Sequence, residues 1–158
     1  MPGRSELSTP ALFLTEEMQR LAIGTESAPV TMEVEKGAIV RFAQAIGDDN
    51  PLYTDEAAAR KTRYGGMVAP PTFLRSMRVM HLELPFEMPF HRLLDAGSDW
   101  EYFQPVRPGD RITAVGRITD IRERTGRLGL MVFTVTTIIY RNQFDEVVAT
   151  QTNTLIRY

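Results

Sequence analysis

Apolar and polar positions recur at two different periods along this chain, and the period changes near residue 98. In the first part the spacing is helical. Within KGAIVRFAQAIG, residues 36–47, Ile39, Phe42, Ala43 and Ile46 share one helix face, and Gly47 ends the run. Thr15 is placed to cap a short helix, TEEMQRLAI, with Glu16 and Glu17 in its positive first turn and Gly24 after its end. Thr54 is placed to cap another, with Asp55 and Glu56 leading into AAAR. Between these, PVTMEVE alternates Val30, Met32 and Val34 with polar residues and reads as a strand. YGGMVAPP, residues 64–71, has two glycines and two prolines and reads as irregular. Pro70 and Pro71 then suit the opening of a helix through TFLRSMRVMHLEL, with Phe73, Leu74, Met77, Met80 and Leu84 on its apolar face. Residues 85–96 read as a second irregular stretch.

From Asp99 onward the period is two. WEYFQPV, RITAVGRITDIRE, LGLMVFTVTTIIYRN and EVVATQTNTLIRY are strand-like, and PGD, RTGR and NQFD are the turns between them. A helical half followed by long consecutive strands implies an α+β fold, an antiparallel sheet wrapped on one buried helix. The expectation is one domain over residues 1–158, with residues 1–10 a loose lead-in.

Composition narrows the classes of function. The chain has 158 residues, the size of one domain, with 43% hydrophobic and 24% charged residues. A net charge of −2 gives no reason to expect nucleic acid or an anionic membrane as partner. The absence of cysteine excludes a disulfide scaffold and thiolate chemistry. MPGRSELSTP lacks the apolar run of a signal peptide, and no stretch approaches a membrane span, so a soluble cytoplasmic domain is expected.

Chemistry enters with IGDDNPLYTDEAAAR, residues 46–60. FAQAIGDDNPLYTDEAAAR resembles the G-D-x-N-P-x-H signature of the MaoC-like hydratase/dehydratase family. GGMVAPPTF is similar to the segment leading into that family's central helix, and DWEYFQPVRPGD to its F-x-x-P-V-x-x-G-D strand and turn. The APPTF form and the early helix most resemble the family's N-terminal dehydratase branch, in which two hotdog units work as a pair. The resemblance implies a hotdog fold and reversible hydration of a 2-enoyl thioester carried on coenzyme A or acyl carrier protein, with no other cofactor. It also implies the site: an Asp and a His that activate water, and a backbone N–H that stabilises the enolate-like oxygen.

Transferred by position, the signature places Asp48 at the catalytic aspartate and leaves Asn50 and Pro51 to shape the turn beside substrate. It departs at the histidine, where Tyr53 stands. A phenol with a reference pKa of about 10 donates a hydrogen bond but shuttles protons poorly at neutral pH, unlike imidazole near about 6.5. It departs again at the glycine that supplies the oxyanion N–H, which falls at Pro71 and has no N–H to give. Thr72, one residue on, has one. Loss of such a donor typically costs about 100- to 1,000-fold in rate.

The remaining candidates are weaker. Met67, Met77, Met80 and Met88 can line an acyl channel or fill core, with Met67 and Met77 the substrate-facing pair. Arg60, Lys61 and Arg63 can meet coenzyme A phosphates or be solvated at a helix end. Trp100 and Phe103 read as core or dimer seam. His81 and His91 have no carboxylate or second His at ligand spacing, and no metal site is expected.

Two departures in one signature favour a subunit of an enoyl-CoA hydratase/dehydratase, acting on a linear or steroid acyl group. This chain would be the acyl- or CoA-binding half, paired with a catalytic hotdog chain. The other readings are a self-sufficient homodimeric (R)-specific enoyl-CoA hydratase using Asp48, a hotdog thioesterase, and a non-catalytic structural partner.

Overall fold

The structure, a computed structural model, describes residues 12–79 and 82–158. The lead-in at residues 1–10 and the positions of Met80 and His81 lie outside the described residues. Helix α1 spans Glu16–Ala22, and Thr15 Oγ1 accepts from Met18 N at 3.2 Å, as its N-cap position predicts. Strand β1 is Val30–Glu33 and helix α2 is Lys36–Ala45, with Ile39 and Ala43 buried. Two short helices follow, α3 over Pro51–Thr54 and α4 over Glu56–Arg60. The cap of α4 is Asp55, whose Oδ1 accepts from Ala58 N at 3.1 Å, and not the expected Thr54, which closes α3 instead.

The helix expected through residues 72–84 is cut to a 3-10 helix, Pro71–Ser76. Met77 is already extended, with φ −72° and ψ 119°. Two causes act together. Ser76 Oγ donates to Phe73 O at 2.7 Å and occupies a carbonyl that the next helical turn would need. The apolar residues also serve two different cores. Phe73, Leu74 and Met77 pack with Ile39, Ile112, Ala114 and Tyr140, whereas Leu84, Phe86, Met88 and Phe90 cover Leu14, Ala22, Ile121 and Val132.

Four strands complete the fold: β2 over Leu93–Tyr102, β3 over Arg111–Gly126, β4 over Gly129–Arg141 and β5 over Val147–Arg157. Strand β2 begins inside the stretch expected to be irregular, because Leu93, Leu94 and Asp95 pair with Arg157, Ile156 and Leu155. The five strands form one antiparallel sheet in the order β1-β3-β4-β5-β2. Its inner face packs on α2 and the 3-10 helix, where Phe42 meets Phe73 edge-on at 5.4 Å. This is the α+β hotdog architecture with a short central helix. No helix among the described residues is long and apolar enough to cross a membrane.

β2 closes one end of the sheet. It pairs with β5 on one side only, and Leu93, Leu94, Tyr102 and the following Phe103 are exposed along it.

Candidate functional site

The signature loop is built from contacts a few residues long. Gly47 takes φ +71°, a conformation that an L side chain resists, and turns the chain out of α2. Asp48 N then donates to Ala43 O at 2.9 Å. Asp48 Oδ1 accepts from Asn50 N at 3.1 Å, an Asx turn, and Asn50 Oδ1 accepts from Leu52 N at 3.0 Å as the N-cap of α3. Pro51 occupies the first helical turn, where a missing N–H costs nothing. Both polar side chains therefore support the turn. Asp49 is exposed.

One helical turn further, Tyr53 reaches a cavity of about 360 Å³ whose wall includes Tyr64, Pro71, Leu74, Tyr102 and Phe103. Partial burial, and then the neighbouring carboxylate of Asp48 and phenol of Tyr64, push the Tyr53 hydroxyl above the ordinary tyrosine range. At neutral pH this group is a neutral hydrogen-bond donor. Burial likewise raises Tyr102. The lining is mostly apolar and aromatic with few polar tips, as small-molecule sites are.

The predicted residues divide on this geometry. Tyr53, Pro71 and Arg63 line the cavity; Asp48 does not, and its carboxylate reaches Tyr53 only through its charge. Thr72 is exposed at the start of the 3-10 helix and does not line it, nor does Asn50. Met67 is buried and borders a shallow depression beside Arg107 and Pro108. Met77 is also buried and faces a different cavity over β4 and β5. Of the basic trio, Arg60 is bound to Glu56 Oε1 at 2.5 Å, and the same carboxylate also pairs with Lys36. Lys61 is exposed and forms no ion pair among the described residues. Arg63 donates to the Tyr64 hydroxyl at 2.8 Å and stands over that ring, so it is held at the cavity mouth. His91 is exposed ahead of β2.

Three contributors escape a reading of the signature alone. Tyr64 lies at the start of the glycine-rich loop, next to Arg63. Tyr102 and Phe103 arrive from the end of β2, about fifty residues on in sequence, and carry the aromatic wall. Trp100, two residues earlier, is part of the core, stacked on Tyr102 at 5.7 Å and on Tyr140 at 5.4 Å.

A hotdog sheet with this loop at the mouth of an aromatic cavity defines the class as MaoC-like. Residues 21–151 match the family described as FAS1-like, dehydratase domain region, and the chain belongs to that family. A UPF0336 protein of Streptomyces avermitilis is 34% identical over 99 residues, which cover 60% of this chain and 66% of that protein, just under two thirds of its length. A protein of Thermomonospora curvata, named a probable enoyl-CoA hydratase alpha subunit, is 30% identical over 138 residues, 76% of this chain and 43% of that one. Among solved structures, the MaoC-like dehydratase of Rhodospirillum rubrum is similar with a TM-score of 0.70 and 26% identity, over 92% of this chain and 97% of that chain. Two complexes of Mycobacterium tuberculosis share the fold. ChsH1–ChsH2 has a TM-score of 0.73 at 22% identity, over 90% of this chain and 87% of that chain. HadBC, a 3R-hydroxyacyl-ACP dehydratase, has 0.70 at 24%, over 85% of this chain and 96% of that chain.

Proposed function

We propose that this chain is the acyl-thioester-binding half of a 2-enoyl-CoA hydratase/dehydratase and works beside a second hotdog chain that carries the acid–base pair. One observation carries the reading. At the cavity wall, where the family's signature has its histidine, a phenol stands with its proton held more tightly than in free tyrosine. A group of that kind positions a carbonyl or water by donating a hydrogen bond, and it does not take up and release a proton near pH 7. Pro71 in the same wall offers no N–H to a developing oxyanion.

The partner has a place to dock. Among the described residues β2 pairs with β5 alone and exposes Leu93 and Leu94, and an outer strand of this kind templates pairing with another chain. Because Tyr102 and Phe103 lie both at this edge and in the cavity wall, a chain added there closes the cavity. Arg63 at the mouth meets the phosphates of coenzyme A, and the acyl group enters along Leu74 and the aromatic wall. The named alpha subunit of Thermomonospora curvata and the two mycobacterial complexes support a paired arrangement.

The test is enoyl-CoA binding and hydration by the purified chain alone, beside its Asp48→Asn variant. Calorimetric binding without hydration above background is the expected result, followed by hydration once a second hotdog chain with an intact Asp and His is added. Turnover by the chain alone that disappears in Asp48→Asn overturns the proposal and makes the chain a catalyst in its own right.

A further inference from the structure

A second cavity, of about 180 Å³, lies on the inner face of β4 and β5 beyond the 3-10 helix. Its volume is that of about six liquid waters at about 30 Å³ each. The wall is mixed in chemistry. Met77, Val79, Ile138 and Leu155 are apolar, and Thr134, Asn153 and Arg157 bring polar atoms to the same cavity, with Leu155 paired beside Thr134 in the sheet. A purely apolar channel for a hydrocarbon chain has no use for these polar groups, and each of them costs free energy to bury unless it finds a partner.

Most of them have one. The Tyr140 hydroxyl donates to Gln151 Oε1 at 2.9 Å, and Gln151 Nε2 donates to Ser98 Oγ at 2.9 Å. Asn153 Nδ2 reaches Asp95 Oδ1, Gly97 O and Ser98 Oγ at 3.0–3.2 Å. Asp95 also accepts from Gly97 N at 2.9 Å and faces Arg75 at 3.9 Å. Arg157 is the exception. Its guanidinium has one hydrogen bond, to the neutral hydroxyl of Thr134 at 3.2 Å, and forms no ion pair among the described residues. Burial alone disfavours its charge, with no carboxylate to offset the effect. Asp95 faces Arg75, and among the described residues no carboxylate stands against the half-buried Arg157 guanidinium.

We infer that this cavity is a binding subsite for a short-chain carboxylate, with the anion on Arg157 and Thr134 and the alkyl part against Met77, Val79 and Leu155. Planar guanidinium donors match a carboxylate better than any other common anionic group of this size except phosphate, and the apolar wall selects the organic acid. The subsite goes beyond the thioester reading and stands on separate residues.

Titration of the ¹⁵N-labelled full chain with butanoate and with butanamide, followed by the side-chain amide signals of Gln151 and Asn153, tests it. Butanoate is expected to shift those signals saturably and to bind about tenfold more tightly than the amide, the value of one charge-assisted contact. Arg157→Met should bring the two probes within about twofold, and Arg157→Lys should keep part of the preference. Equal affinity for both probes, no saturable shift, or a preference that survives in Arg157→Met overturns the inference. The comparison of probes on the unsubstituted chain decides the matter even where a variant does not fold.

Discussion

The Gly47–Tyr53 loop and the Tyr140–Gln151–Ser98 network are both polar, yet they are made in opposite ways. The side-chain contacts that shape the loop join residues two apart, its one long-range backbone bond is Val68 N to Leu52 O at 3.4 Å, and its side chains are exposed or half-buried. The network joins residues 11 to 58 apart, across three strands and against the core. A loop closed by its own neighbours can exchange a chemical group without disturbing the fold. A network closed across the sheet cannot, because each member leaves a buried partner stranded when removed. In this molecule the departure at Tyr53 falls on the replaceable side.

The sharpest way to break the comparison is to remove a member of the network. Tyr140 is 1% exposed, and Tyr140→Ala is expected to cost about 3–5 kcal/mol by urea denaturation, the range for a buried large aromatic. Tyr140→Phe keeps the ring and strands Gln151 Oε1, for about 1–2 kcal/mol. A loss near zero from Tyr140→Phe would show that the network closes nothing.

The pH dependence follows from the same residue. Burial pushes Tyr140 from 10.0 up to about 12 in the folded chain. Its neutral form is favoured by folding, so its contribution is fully present below pH 10.0. It is lost as pH rises through about 12, because the unfolded chain releases the proton first. Denaturation midpoints should fall across that window in the parent, and less steeply in Tyr140→Phe.

On the loop side the effects shrink. Asn50→Ala removes the cap of α3 and should cost about 1 kcal/mol. Asp48→Asn keeps an oxygen to accept the Asn50 N–H, so its stability change should stay within about 0.5 kcal/mol. The same variant removes a negative charge beside Tyr53, and spectrophotometric titration should find that phenol ionising at lower pH than in the parent. An unchanged Tyr53 would mean that the two groups are not coupled.

The same contrast explains what was legible in the sequence. The loop, the Thr15 cap and the end of α2 rest on neighbours in the chain, and their residue types announce them. The hotdog fold was legible through its strand periods and the resemblance. The extent of the central helix was not, since Phe73 and Leu84 satisfy one helical stripe equally well whether they enter one core or two. Nor could alternation in VVATQTNTLIRY say which face was inside. Gln151 is 3% exposed beside Ala149 in the same row, and only the partners Tyr140 and Ser98, from other strands, make a glutamine tolerable there. The aromatic wall from Tyr102 and Phe103 was hidden for the same reason.

The free edge of β2 carries a consequence for any measurement on the chain in dilute solution. Whatever pairs with that edge binds the folded state and not the unfolded one, so it raises apparent stability by mass action. The melting temperature then becomes a function of concentration. A thermal midpoint that climbs on tenfold enrichment of the chain reports self-pairing, and one that climbs only when a second hotdog chain is titrated in reports its proper neighbour.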